Sequence, residues 1–456
     1  MDNHHPSPHI ALLTGAGMGH LTPTLRLAAM LSSKNCQVTL ITPQPPVSTA
    51  ESTHIAAFLA AYPTVNSLDF QIVPYTPPKP ADPFAVQFEA IIRSVHLLTP
   101  LLTSVSPPLS AFFSDITTAA GGHQVAEDLG LPHYVISLSA RFTSFIAYVP
   151  YLIGSDGYID PTETIIQVPG LASFDISTIP SPFFLPNQTF TKTLVSNARA
   201  LSKAKGILLN TFHAFEPETI ASVNDGKFIP NFPPLLPIGP FEPHKLEIGD
   251  HQPLPWLDQQ PPKSVVYVSF GSRTAMSRDQ IRELGKGLEE SGFKFLWVLK
   301  SKIVDKDDNE GTEEIVGDSF IGRTKHNGLV IKGWVNQEKI LSHPAVGDFV
   351  SHVGWNSVME AAAIGMPMLA WPLLGDQKVY AGLVEAVGLG VWDKSWGWLG
   401  ERLVKGEEIA KMVKKMMCDE SLRESARILG EGAMNATKVG GSSYNVFMET
   451  IQNLSI

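Results

Sequence analysis

Short apolar runs alternate with amphipathic stretches along the whole chain, which is the pattern of parallel α/β domains. In the first half, runs at 9–14, 37–42, 70–75, 111–114, 133–138 and 206–210 predict strands, with helices at 25–33, 84–98 and 119–129 between them. In the second half, strands are predicted at 264–270, 294–299, 329–332, 347–351, 367–371 and 390–392. Helices are predicted there at 277–291, 355–364, 378–387, 406–417 and 421–439. A proline-rich stretch at 231–255 separates the halves and reads as a surface linker. The charged run at 305–314 reads as a solvated loop. The expected fold class is α/β, with two doubly wound domains that hold ligands at the C-terminal strand ends, in the cleft where they meet. The expected division is 1–240, a linker at 241–255, 256–439, and a C-terminal helix at 440–456 that packs back on the first domain.

The length of 456 residues agrees with two or three domains. With 44 acidic against 34 basic residues the net charge is −10, which argues against a nucleic-acid binder, since phosphate backbones need a Lys/Arg surplus. The only two cysteines, Cys36 and Cys418, exclude a disulfide framework and a cysteine-rich metal site, and suit a reducing compartment. The N-terminus lacks a basic segment followed by an apolar core, so no signal peptide is expected. The uncharged stretch around 94–114 and the run 361–375 both contain prolines and are poor membrane spans. The triplets Asn187-Gln188-Thr189, Asn435-Ala436-Thr437 and Asn453-Leu454-Ser455 then read as chance matches to the glycosylation pattern. The expectation is a cytoplasmic protein without a membrane span, and a monomer.

The first predicted strand ends in Thr14-Gly15-Ala16-Gly17-Met18-Gly19-His20. A dinucleotide fingerprint needs G-x-G-x-x-G and an acid about 20 residues on. Here His20 takes the place of the third glycine, and the next strand ends in Leu40-Ile41-Thr42-Pro43 without an acid. A nicotinamide-dependent oxidoreductase is therefore disfavoured. What remains is a tight turn presenting His20 at a strand–helix junction, where an imidazole can act as a general base or serve as a packing residue. The other histidines, His4 and His5 among them, form no metal-ligand set.

The segment 334–377 is the most informative. It contains Trp334-Val335-Asn336-Gln337, then His352-Val353-Gly354-Trp355-Asn356-Ser357, then Glu360, Gly365-Met366-Pro367 and Asp376-Gln377. A strand leading through His352 and Gly354 into a helix would aim backbone N–H groups at a phosphate. Glu360, one turn on, can accept both hydroxyls of a ribose. Trp334 offers a flat face for a base. Asp376 and Gln377 pair an acceptor with a donor, as sugar hydroxyls require. Each piece alone has a bland reading, as a core tryptophan or a helix cap. In this order they describe a nucleotide-sugar site.

This segment resembles the signature of plant family 1 UDP-glycosyltransferases, and the resemblance extends over the whole chain. It implies a GT-B fold of two Rossmann-like domains, the acceptor in the first and the UDP-sugar mainly in the second. By that resemblance Trp334 stacks on uracil, the Val335 backbone bonds its edge, and Gln337 and Glu360 hold the ribose. His352, Asn356 and Ser357, with Ser272 of Phe270-Gly271-Ser272, hold the diphosphate about the Gly354 turn. Trp355, Asp376 and Gln377 contact the sugar, with Gln377 resembling glucose users, and His20 matches the catalytic base. Three departures are Asn336 for the usual Pro, Val353 for Cys and Met366 for Val. Gly271-Ser272-Arg273-Thr274-Ala275-Met276-Ser277-Arg278-Asp279-Gln280, Asp82-Pro83-Phe84 and Asp115-Ile116 are similar to flavonoid C-glucosyltransferases of the 2-hydroxyflavanone and dihydrochalcone type. In that group Asp115 is a candidate partner for His20, its alternative being a turn residue. The resemblance implies UDP-glucose as donor co-substrate, a polyphenol as acceptor, and neither cofactor nor metal. O-glucosylation and a non-catalytic UDP-sugar-binding protein are the competing readings. Phe84, Phe88, Ile92, Phe142, Phe145, Phe183 and Phe184 are candidates for an acceptor lining, at least half of them being equally accounted for by core packing.

Overall fold

The structure is a computed structural model that describes residues 7–77, 81–154, 157–186, 188–244, 246, 253–301 and 310–454. His4, His5, Asn187, Ser455, residues 247–252 of the linker and 305–309 of the charged loop lie outside the described residues. The backbone separates into two compact units, Met1–Leu246 with Asn435–Ile456, and Glu247–Met434.

The first unit is built on β1 (His9–Leu13), β2 (Gln37–Gln44), β3 (Val65–Gln71), β4 (Ala111–Asp115) and β5 (His133–Ser137). A small antiparallel pair, β6 (Ile165–Ile166) and β7 (Phe174–Asp175), precedes β8 (Gly206–Leu209) and β9 (Leu235–Pro237). The sheet order is β3-β2-β1-β4-β5-β8-β9, and every pairing is parallel. Both faces are covered, so β1, β4, β5 and β8 are buried along their length and read as continuous apolar runs.

The second unit contains β10 (Val265–Ser269), β11 (Lys294–Leu299), β12 (Gly328–Lys332), β13 (Val346–Ser351), β14 (Met368–Ala370) and β15 (Gly390–Trp392). Its order is β12-β11-β10-β13-β14-β15, again parallel. Its core packs Val266, Val268, Trp297 and Val350 of the sheet against Leu284, Leu288, Ile409 and Val413 of the flanking helices. In each unit the strand order reverses beside the first strand, between β1 and β4 and between β10 and β13. Crossovers leave these neighbours in opposite directions, which opens a crevice at their C-terminal ends.

Three expectations need correction. The third strand runs Val65–Gln71, earlier than 70–75, because as a sheet-edge strand it carries exposed polar residues that hide its pattern. Within the supposed linker, Leu235–Pro237 forms β9 and Pro253–Leu257 is helical. An edge strand tolerates proline, which the composition disguised as linker. The first helix begins at Met18, well before 25, since Pro23 forfeits one helical hydrogen bond without ending the helix. The division at Leu246/Glu247 falls inside the expected linker 241–255, and the chain returns to the first unit at Asn435, a few residues before 440. The helix Ser442–Gln452 contacts β9 in the first unit. No helix among the described residues is long and apolar enough to cross a membrane.

Candidate active site

In the first unit the chain leaves β1 and turns into the helix Met18–Ser33. Gly17 is its N-cap with φ 84°, a left-handed conformation that favours glycine. His20 therefore sits in the first helical turn, not in the preceding loop. Its Nδ1 lies 2.9 Å from Oδ2 of Asp115, the last residue of β4. His20 is 18% exposed and Asp115 only 4%. The other carboxylate oxygen accepts hydrogen bonds from the Thr117 backbone N–H (2.8 Å) and from the Thr117 hydroxyl. Burial pushes the Asp115 pKa up, but the His20 charge and the hydrogen bonds from His20 and Thr117 outweigh it, leaving it below the usual value. An ionised carboxylate only accepts, so Nδ1 of His20 carries the proton and Nε2 is left as the basic nitrogen. Gly15 makes room for this pair, since a Cβ there would stand 2.7 Å from Asp115 Oδ1 and 2.6 Å from Thr117 Oγ1. Thr117 was missed by sequence reasoning, and its one signal was an Asp-x-Thr spacing typical of Asx turns.

Asp82 N-caps the helix Pro83–Ser94 by accepting from Ala85 N–H at 3.2 Å, and Pro83 starts it. That start delivers Phe84, half-buried, into a stack with His20 at 6.1 Å between centroids. Phe88 follows at 6.1 Å, and Phe190 stands 5.6 Å from Phe88. Phe88, Phe145 and Phe183 are buried core residues, while Phe142 and Phe184 keep partial exposure. Ile92 lines a cavity of about 250 Å³ together with Val95, Thr118, Lys192 and Asn197.

In the second unit β13 leads through His352 and Gly354 into the helix Trp355–Ile364. Gly354 is the N-cap and, being glycine, supplies no side-chain cap, and a helix start of this kind is suited to an anion. The His352 ring packs against two glycines: a Cβ at either Gly271 or Gly354 would meet its Nε2 at 2.6 Å. Ser272, half-buried, follows Gly271 (φ 75°) in the loop after β10. Burial pushes the His352 pKa down to about 4, opposed by a hydrogen bond with the Ser269 backbone, so the imidazole is neutral at pH 7. Val353 has φ 54°, a strained conformation for a β-branched residue. Strain at this turn coincides with the crevice between β10 and β13.

Gln337 Nε2 donates to Glu360 Oε2 at 2.7 Å and to Ser357 Oγ at 3.1 Å, while the Tyr267 hydroxyl donates to its Oε1 at 3.3 Å. Trp334 is 37% exposed, and Val335 beside it is buried. Asp376 Oδ2 accepts from the Tyr380 hydroxyl at 2.6 Å, and Tyr380 packs on Trp355 at 4.7 Å between centroids. Gln377 Oε1 accepts from Leu373 and Leu374 N–H at 2.7 and 3.0 Å, leaving its NH2 group for donation. Trp355 is only 3% exposed, its side chain packed beside Tyr380. Asn356 lies in the same first turn. Within the segment 271–280, Ser277 is the N-cap of the helix Arg278–Ser291, and buried Gln280 pins Val404 through two 2.9 Å hydrogen bonds. Those two positions of the resemblance are thus structural.

Residues 245–431 match the model of the UDP-glucoronosyl and UDP-glucosyl transferase family. The chain is 45% identical over 455 residues to UDP-glycosyltransferase 708G2 of Citrus unshiu, covering 97% of this chain and 96% of that one. It is 46% identical over 449 residues to UDP-glycosyltransferase CGT of Oryza sativa subsp. japonica, covering 97% and 95%. The crystal structure of LpCGTa in complex with UDP superposes with a TM-score of 0.87 at 42% identity, covering 99% of this chain and 100% of that one.

Proposed function

The chain belongs to the plant family 1 UDP-glycosyltransferases and has their GT-B fold, and from that premise we propose that it transfers glucose from UDP-glucose to an aromatic carbon of a flavonoid-type polyphenol. The observation that carries the proposal is the hydrogen bond from His20 to Asp115, which makes Nε2 a base at the crevice of the acceptor unit. The likeness to relatives named CGT supports the carbon linkage.

His20 Nε2 takes the proton of an acceptor phenol. A phenol near pKa ~10 against an imidazole near ~6.5 leaves a cost of about 5 kcal/mol. Conjugated keto groups on a phloroglucinol-type ring narrow that gap, and Asp115 stabilises the imidazolium that forms. The phenolate spreads its charge to the ortho carbon. That carbon attacks the anomeric carbon from the face opposite UDP, the bond to the diphosphate oxygen breaks, and UDP departs. The ortho carbon, now bonded to glucose, gives up its proton to solvent, which restores the aromatic ring. The product is a β-C-glucoside of inverted configuration.

In the donor unit, Trp334 holds the uracil, Gln337 and Glu360 the ribose, and Asp376 and Gln377 the glucose hydroxyls. The uncapped helix start at Gly354, with Ser272, His352, Asn356 and Ser357, takes up the charge developing on the diphosphate without a metal ion. Phe84 and its neighbours form the acceptor wall.

The test is mass spectrometry of the product of UDP-glucose and phloretin before and after hot-acid hydrolysis. An acid-resistant monoglucoside is expected. An acid-labile product would move the assignment to O-glucosylation with the same base and donor site. No UDP release with any phenol would leave a binding protein.

A further inference from the structure

We propose that Asn197 is a positioning residue for the His20–Asp115 pair. The inference rests on the catalytic reading of that pair.

Asn197 lies on the helix Thr189–Leu201, far in sequence from either partner, and is only 2% exposed. Its two polar atoms are both committed. Nδ2 donates to the backbone carbonyl of Thr117 at 2.6 Å, and Oδ1 accepts from the backbone N–H of Ala120 at 3.0 Å. Thr117 is the middle residue of the short turn Ile116–Thr118 that follows Asp115, and Ala120 lies in the first turn of the helix Ala119–Leu129. Thr117 in turn holds one Asp115 oxygen by its N–H and its hydroxyl, and the other oxygen faces His20. A continuous hydrogen-bonded chain thus runs from Asn197 through Thr117 and Asp115 to His20.

Asp115 ends its strand, so its backbone is fixed on one side by pairing with Ile136 of β5, the β1 pairing stopping at Ser114. On the other side nothing in the sheet fixes the turn. Asn197 supplies that second anchor, because a side-chain amide can donate to one backbone group and accept from another at once. Aspartate of the same shape could only accept, and alanine could do neither. A shift of the turn would rotate the Asp115 carboxylate relative to His20, and a misplacement of about 1 Å at a reacting group can cost roughly 100-fold in rate. The donor site lies in the other unit and shares no residue with this chain of bonds.

The experiment is a double-mutant cycle between Asn197 and Asp115, with kcat and the KM for UDP-glucose measured for each member. Asn197→Ala is expected to lower kcat about tenfold or more with that KM unchanged. In an Asp115→Asn background it should have almost no further effect, since the group it positions is already disabled. Asn197→Asp, which keeps the acceptor and loses the donor, should fall between wild type and alanine. The same tenfold loss in the Asp115→Asn background would overturn the proposal and make Asn197 a general packing residue. So would insolubility of both Asn197 variants, which would make it a folding residue. Undiminished activity of Asp115→Asn itself would instead sink the catalytic reading of the pair.

Discussion

On the proposed mechanism His20→Ala removes the nitrogen that takes the acceptor proton, so kcat should fall about 10²–10⁴-fold. UDP affinity should stay as in wild type, because His20 belongs to the first unit and the nucleotide residues to the second. Steady-state kinetics beside calorimetric UDP titration separates the two. Trp334→Ala should act in the opposite sense. Stacking on a base is worth about 1–3 kcal/mol, so UDP binding should weaken by roughly 5- to 150-fold while the chemistry of bound substrate is largely kept. Gly271→Ala meets two obstacles, a left-handed φ of 75° and a Cβ 2.6 Å from His352 Nε2. Loss of UDP binding with an intact first unit is the expected outcome, read by the same titration. Sequence points to residues of this kind where the proposed chemistry needs a special side chain or none at all, and the structure places His20 against Asp115 and Gly354 at a helix start. Thr117 and Asn197 were not legible, since a threonine and an asparagine that hold a backbone turn look like any others until the fold brings them together. Trp355 was legible as a position at the glycine turn, and the structure packs its indole on Tyr380.

The strand β13 carries a buried acid that no step of the reaction uses. Asp348 is 0% exposed, and Arg423 Nη2 stands 3.7 Å from its Oδ2, too far for a hydrogen bond. Burial raises its pKa to about 7, with the Arg423 charge opposing. The unfolded carboxyl ionises near 3.8, so between pH 4 and 7 the folded state holds more protons than the unfolded one. Stability should therefore fall as pH rises through that window, by on the order of a few kcal/mol relative to Asp348→Asn, which has no proton to lose there. Urea unfolding of both proteins at pH 5 and 7.5 checks the slope; parallel behaviour would show that Asp348 is not the cause. At this scale the sequence was most readable in buried strands and in amphipathic helices: the helices 119–129 and 406–417 fall where their apolar spacing put them, and 355–364 where the glycine turn before it starts a helix. The helices Thr49–Ala61 and Ala140–Leu152 went unseen. The first mixes alanines with polar residues around little apolar contrast, and the second is apolar nearly all round, so neither shows a clean stripe.

The whole molecule was readable as two parallel α/β units because each repeats the same alternation of strand and helix. The return of the C-terminus to the first unit was expected from resemblance, while the true division follows from contacts that no local pattern encodes. A fragment ending at residue 434 would lack the helix Ser442–Gln452 that contacts β9. That bared edge strand should make the fragment associate, visible as early elution in size-exclusion chromatography, whereas the full chain keeps the strand covered. The same arrangement sets an order of events on the ribosome. The unit that begins first cannot be finished until the last residues emerge, while every residue of the second unit has by then been synthesised. His20 and Asp115 are thus made early, on a sheet whose strands are all synthesised by Pro237, and the unit that holds them waits for a helix encoded more than 300 residues downstream of either.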